Sequence, residues 1–113
     1  MTGRINFTPE AEGQLNELDD WITKVASADI ARRFVSAILD HIEGILVFPL
    51  AGRARDDVRP GMRTSTLGKR TLIAYEVDES SGELVVNILG LFHGGQDWEA
   101  ALGDEQDDPE VGQ

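Results

Sequence analysis

The residues best suited to chemistry are concentrated between positions 49 and 97. This segment holds six of the ten Lys and Arg residues in the chain: Arg53, Arg55, Arg59, Arg63, Lys69 and Arg70. Near its end lies His93, one of only two histidines in the chain. The whole chain carries a formal net charge of −11. Because cations gather on one short segment of an acidic protein, the sequence indicates an anionic partner for that segment.

Several residues of this segment also have a structural interpretation. Arg53 and Arg55 either bind a partner or form a solvated loop. Arg63 follows a Pro-Gly turn at the start of a predicted strand, and we favour it as functional because a strand fixes the direction of its side chain. For His93 we favour a hydrogen bond to a turn over acid–base chemistry. Tyr75, in the middle of a strand, is interpreted as a core residue with a bonded hydroxyl.

Length and composition predict one small soluble domain. The chain has 113 residues, 41% of them hydrophobic, and no cysteine. The absence of cysteine excludes a disulfide scaffold and thiolate zinc sites, and we expect neither a metal nor another cofactor. No run is long and apolar enough for a membrane span, and no signal core follows Met1, so we expect a cytoplasmic protein.

The C-terminal end differs from the rest. After Gln96 the chain has seven acidic residues and no Lys or Arg: Asp97, Glu99, Asp104, Glu105, Asp107, Asp108 and Glu110. From position 103 the only large apolar residue is Val111. We therefore predict a folded domain over 1–102 and a disordered acidic tail over 103–113. We favour a solubilising role for the tail. The alternative is that it shields the basic segment or repels nucleic acid.

The first half of the chain predicts a short strand and two helices. Residues 4–7 alternate in polarity, as a strand does. Thr8 caps a helix that has Pro9 in its first turn, and Ser27 caps a second helix that Pro49 ends. Apolar residues recur at helical spacing in both. Because few residues separate the two helices, they should form an antiparallel hairpin.

The second half has the period of β-strands. Strands are expected over 62–67, 70–77 and 83–92, with Gly68 in a tight turn between the first two. The last run is apolar on both faces, so residues 84–92 should lie centrally in the sheet. The fold class is therefore α+β, with the order β-α-α-β-β-β and a helical hairpin packed on a small antiparallel sheet of three to four strands.

The order of these elements and four sequence runs resemble the ParE/RelE superfamily of toxins from type II toxin–antitoxin systems. The runs are FTPEA at 7–11, GRARDDVRPGMR at 52–63, AYEV at 74–77 and LFHGGQD at 91–97. The similarity covers roughly residues 3 to 102. It implies a RelE/ParE-like fold and a toxin that a cognate antitoxin neutralises.

The two branches of the superfamily imply different chemistry. RelE-like members are ribosome-dependent mRNA endoribonucleases, and in this chain Arg63, Lys69, Arg70 and His93 would supply the cations and the acid–base group. However, the last strand has no Lys or Arg, and ribosomal RNA would repel an acidic protein. The resemblance therefore favours a ParE-like protein, which inhibits DNA gyrase without a catalytic centre, forms a hetero-oligomer with a ParD-like antitoxin, and alone binds neither nucleic acid nor membrane.

A third possibility is a non-toxic, antitoxin-binding module. Typical ParE members carry basic residues after the His-Gly step, where this chain has Gln96 and Asp97.

The helical hairpin is the expected antitoxin-binding surface. Its apolar face is wider than one stripe, which indicates either complete burial against the sheet or a groove for an antitoxin helix. The predicted partner-binding residues are Trp21, Ile22, Val25, Val35, Leu39, Arg53, Arg55, Arg59, Arg63, Arg70 and Trp98.

Overall fold

The computed structural model describes residues 3–68 and 70–94. The elements follow the predicted order: β1 (Gly3–Phe7), α1 (Pro9–Val25), α2 (Ala28–Val47), β2 (Arg53–Ala54), β3 (Met62–Leu67), β4 (Thr71–Asp78) and β5 (Leu84–His93). The strands form one sheet in the order β1-β5-β4-β3-β2. The predicted fold class is confirmed. Lys69, Trp98 and the predicted tail at 103–113 lie outside the described residues.

The sheet differs from the prediction in two details. It has five strands, because the two residues of β2 pair with β3, and it is mixed, because β1 runs parallel to β5. The remaining pairs are antiparallel. The direction of β1 is not set by a hairpin turn, since its neighbour β5 comes last in the sequence. β5 lies between β1 and β4, so its predicted interior position is confirmed.

Both predicted helix caps form. The Thr8 hydroxyl accepts a hydrogen bond from the Ala11 amide at 3.1 Å and donates to the Ile88 carbonyl at 3.0 Å. Thr8 therefore both starts α1 and ties it to β5. The Ser27 hydroxyl accepts from the Ile30 amide at 3.1 Å, which starts α2. These bonds satisfy amide groups that the first turn of a helix leaves without a partner.

The main core lies between the helical hairpin and one face of the sheet. Its largest fully buried side chains include Ile38 and Ile42 from α2, Ile73 and Tyr75 from β4, and Ile88 from β5. Burial of each aliphatic side chain is worth about 1.5–3 kcal/mol, so this layer supplies much of the stability.

A β-bulge changes the faces of β5. Tyr75 pairs with Ile88 and Ala74 with Gly90, which leaves Leu89 as an extra residue. Leu89 packs on the opposite face of the sheet, in a second apolar cluster. Just after the bulge, the Leu91 amide donates to Gln14 Oε1 of α1 at 2.7 Å. The strand is thus buried on both faces, as its composition predicts. Within residues 3–68 and 70–94, no helix is long and apolar enough to cross a membrane.

Candidate partner-binding surfaces

The exposed side of the hairpin is narrower than the sequence suggests. Trp21 and Val25, one turn apart on α1, are 53% and 61% exposed. Ile22 is buried in the core against the sheet. The prediction that Ile22 contributes to an exposed groove is therefore wrong. On α2, Val35 is half-buried and Leu39 is exposed. Residues that are neighbours in a helix sequence point in different directions, which separates Ile22 from Trp21.

A surface pocket of about 380 Å³ lies beside Trp21, between α1 and the ends of β4 and β5. It is lined by Gln14, Glu17, Leu18, Trp21, Arg70, Leu91, His93 and Gly94. Its lining therefore combines apolar and aromatic side chains with the opposite charges of Arg70 and Glu17. Such a pocket suits a side chain of a peptide partner that combines apolar surface with a polar end.

His93 is packed where the strand ends. Its ring lies 5.5 Å from that of Phe34 in an edge-on arrangement and 6.2 Å from that of Trp21, measured between ring centroids. Its Nδ1 lies 3.0 Å from the Thr71 hydroxyl. Burial, together with the positive charge of Arg70, lowers the pKa of His93. These contacts support the structural role that the sequence analysis favours for this residue.

The arginines do not form one cluster. Arg55 donates to both carboxylate oxygens of Asp57, at 2.9 and 2.7 Å, and this pairing holds the pKa of Asp57 at about 2. Arg63 donates to the backbone carbonyls of two residues in the turn after α2. Arg59 is half-buried, whereas Arg53 and Arg70 are exposed. Arg53 and Arg70 are therefore the described members of the set best placed to meet an anionic partner.

The described residues of the nuclease alternative do not all lie together. Arg63 pairs with Tyr75, and His93 pairs with Thr71. These positions are four residues apart on β4, or about 13 Å along the strand. The Arg63 guanidinium is engaged with turn carbonyls and His93 with Thr71 and two aromatic rings. Among the described residues of that set, Arg70 and His93 line the same pocket, whereas Arg63 lies too far along the sheet to act on the same position.

The turn after α2 is held by hydrogen bonds from two side chains of the sheet. The Tyr75 hydroxyl donates to the Pro49 carbonyl at 2.8 Å and accepts from the Gly52 amide at 3.1 Å. Arg63 Nη1 donates to the Leu50 carbonyl at 3.1 Å and the Gly52 carbonyl at 2.7 Å. The predicted core position and bonded hydroxyl of Tyr75 are thus confirmed. Together these bonds give the turn a defined shape.

The same turn displays a surface that the sequence analysis missed. Val47, Phe48 and Leu50 are 67%, 70% and 66% exposed. We call these three residues the turn patch. The signal in the sequence was three large apolar residues on both sides of Pro49, where the helical period stops and no strand has begun. Their exposure matters because large apolar patches on a protein surface commonly mark interaction sites.

Comparisons with known proteins agree with this architecture. A solved structure described as "Chromosomal ParDE TA system from P. aeruginosa" superposes with a TM-score of 0.66 at 20% identity, covering 84% of this chain and 97% of that one. This likeness establishes the shared fold: a helical hairpin on a mixed five-stranded sheet. The described surfaces place the chain among small α+β domains with candidate protein-binding faces.

Sequence comparison then identifies the family. The model of the family described as "ParE toxin of type II toxin-antitoxin system, parDE" matches residues 5–98. The chain is 29% identical over 93 residues to "Toxin ParE1" from two Mycobacterium tuberculosis strains, CDC 1551 / Oshkosh and ATCC 25618 / H37Rv, covering 82% of this chain and 91% of each relative. The chain belongs to the ParE toxin family of type II toxin–antitoxin systems.

Proposed function

We propose that this protein inhibits DNA gyrase by binding it, without breaking a bond of its own, and that a ParD-like antitoxin holds it inactive. Membership of the ParE family supports this function. The observation that carries the choice against a ribonuclease is the separation of Arg63 from His93, since a cation that stabilises the reacting phosphate and the group that transfers its proton must reach the same phosphate.

The proposed antitoxin surface is the exposed part of the hairpin with the neighbouring pocket. Trp21 and Val25 offer apolar contact area for one face of an amphipathic helix. Arg70 lies at the same pocket and can pair with an acidic side chain on that helix. The complex is a hetero-oligomer in the cytoplasm, and the toxin alone has no affinity for nucleic acid.

The distinguishing experiment measures two activities of the same purified chain. One reaction contains gyrase and relaxed plasmid, and the other contains translating ribosomes and mRNA. We expect loss of supercoiling with intact mRNA. Cleavage of mRNA at codon positions with normal supercoiling would identify the RelE-like alternative instead, and inactivity in both reactions would identify the non-toxic binding module.

Two variants make this assay more specific. Arg70→Ala and His93→Gln should lower an RNase rate by roughly 10²-fold or more if these groups stabilise charge or transfer a proton. In a gyrase inhibitor the same changes can alter only the concentration needed for inhibition. The antitoxin part is tested separately, by co-purification of the chain with the product of the neighbouring gene.

A further inference from the structure

We propose that the turn patch (Val47, Phe48 and Leu50) is a homodimer interface, through which two copies of this chain associate about a two-fold axis. The three side chains are each about two-thirds exposed. Exposure of three large apolar residues within four positions has a free-energy cost in water that a protein interface removes. The proposal is independent of the gyrase function.

The turn that carries the turn patch is rigid. Backbone groups of the turn are bonded to the side chains of Tyr75 and Arg63, and the Ala51 amide also donates to the Phe48 carbonyl at 3.1 Å. A Cβ atom on Gly52 would fall on the Tyr75 hydroxyl and 2.8 Å from the Thr64 carbonyl oxygen, so glycine is needed for this close packing. The turn patch is therefore presented in a fixed geometry, which lowers the entropy lost on association.

The charges around the turn patch favour a second copy of the chain as its occupant. Asp40 and Phe48 line one groove together with Ala51 and Gly52. Arg53 lines the adjacent groove with the same Ala51 and Gly52. An acidic residue and a basic residue thus line two separate grooves that meet at Ala51 and Gly52. Glu43, one turn before Val47, adds a second exposed acid on the side of Asp40.

This distribution is self-complementary. A two-fold axis through the turn patch brings each Arg53 towards Asp40 and Glu43 of the other copy, because an isologous interface pairs residue i with j and j with i. All three side chains are exposed, and none forms a salt bridge with the part of the chain that the structure describes. The groove of about 420 Å³ beside Phe48 offers a recess for an apolar side chain of the second copy.

The area of the interface and its position on the protein limit how the dimer can form. Three side chains provide less than the roughly 800 Å² per partner of a standard interface, so the contact must extend along α2 to Asp40 and across the turn to Arg53. The interface also lies at the far end of α2 from Val25, about 30 Å away for a 20-residue helix. The dimer can therefore form while the proposed antitoxin surface remains accessible.

The first test uses the absence of cysteine from the chain. In the full chain, Leu50→Cys should form a disulfide-linked dimer on mild oxidation at least tenfold faster than Val25→Cys. The control side chain is similarly exposed, at 61% against 66%, but lies at the other end of the hairpin. Equal rates of cross-linking would overturn the proposal, because random collisions would link two similarly exposed cysteines at the same rate.

The second test measures the dissociation constant by sedimentation velocity. The wild-type chain should approach twice its 12.4 kDa monomer mass as its concentration rises to about 100 μM, a range suited to a weak interface. Arg53→Glu should weaken the dimer at least tenfold, and Glu43→Arg combined with Arg53→Glu should restore it. Glu43 and Arg53 are exposed and form no salt bridge within the described residues, so both variants should fold, and circular dichroism checks this.

Two results would overturn the proposal. One is a wild-type chain that stays monomeric throughout the concentration range. The other is a Leu50→Asp variant that has the wild-type association state but loses antitoxin binding, which would assign the turn patch to the antitoxin.

Discussion

The hydroxyl oxygen of Tyr75 lies 3.1 Å from the amide nitrogen of Gly52, and this contact joins the middle of the sheet to the turn that follows α2. Tyr75 is fully buried, and burial raises the pKa of its hydroxyl. The group therefore stays protonated and can donate to the Pro49 carbonyl while it accepts from Gly52. One side chain thus bonds to both ends of the turn.

Tyr75→Phe should lower the free energy of unfolding by about 1–3 kcal/mol, because it leaves a partly buried carbonyl and a partly buried amide without their partner. Phe48→Leu is a suitable control, since it changes an exposed aromatic side chain in the same turn and should cost less than about 0.5 kcal/mol. Urea denaturation of the two variants measures both values. Equal stability of Tyr75→Phe and the wild type would show that water satisfies the freed groups.

Gly52→Ala and Gly13→Ala should have opposite effects. The new methyl group at Gly52 meets the Tyr75 hydroxyl and the Thr64 carbonyl, and such overpacking costs about 1–3 kcal/mol. Gly13 lies exposed within α1 with open space around it, so alanine there should stabilise the protein by about 0.5–1 kcal/mol. Thermal melts of both variants test the pair, and a shift of the two melting temperatures in the same direction would contradict the packing described for Gly52.

His93 should titrate below the usual histidine range, since burial and Arg70 both disfavour its charged form. The unfolded chain then binds a proton at a higher pH than the folded chain does. The stabilising contribution of neutral His93 is therefore complete above the unfolded pKa of about 6.5 and is lost as the pH falls through the lower, folded pKa. NMR titration of the imidazole ring measures the folded value.

Arg70→Ala should raise the pKa of His93 only part of the way to its ordinary value, because the effect of burial remains. Arg53→Ala serves as the control. This arginine lies on β2, at the other edge of the sheet from β1 and two strands from β4, and its removal should leave the titration unchanged. An equal effect of the two variants would mean that general surface charge, and not the neighbouring Arg70, sets the pKa.

Trp21→Ala should weaken antitoxin binding by at least tenfold if the hairpin is the antitoxin surface, because exposed tryptophans at the centre of an interface commonly contribute about 2 kcal/mol or more. Leu50→Ser removes a comparably exposed apolar side chain at the other end of the hairpin and should leave the affinity unchanged. Isothermal titration with the antitoxin measures both. If Leu50→Ser is the more damaging change, the antitoxin contacts the turn patch instead.

Local patterns in the sequence were sufficient for most of the fold. Thr8 and Ser27 cap helices through bonds to amides three residues away, so their roles depend on near neighbours only. The period of two beyond Pro49 predicts strands, and the apolar run of β5 predicts its interior position, because a strand buried on both faces needs apolar residues at successive positions. The order of the elements followed from these signals.

The tertiary structure decided which side chains remain available to partners. Ile22 and Trp21 are adjacent in an apolar run, yet only the packing of α1 on the sheet makes one core and the other surface. The Arg63 guanidinium donates hydrogen bonds to turn carbonyls more than ten residues earlier in the chain. The turn patch is exposed because the hydrogen bond from Tyr75 to the Pro49 carbonyl fixes the chain there. These outcomes depend on contacts between distant parts of the chain, which residue type and local spacing do not encode.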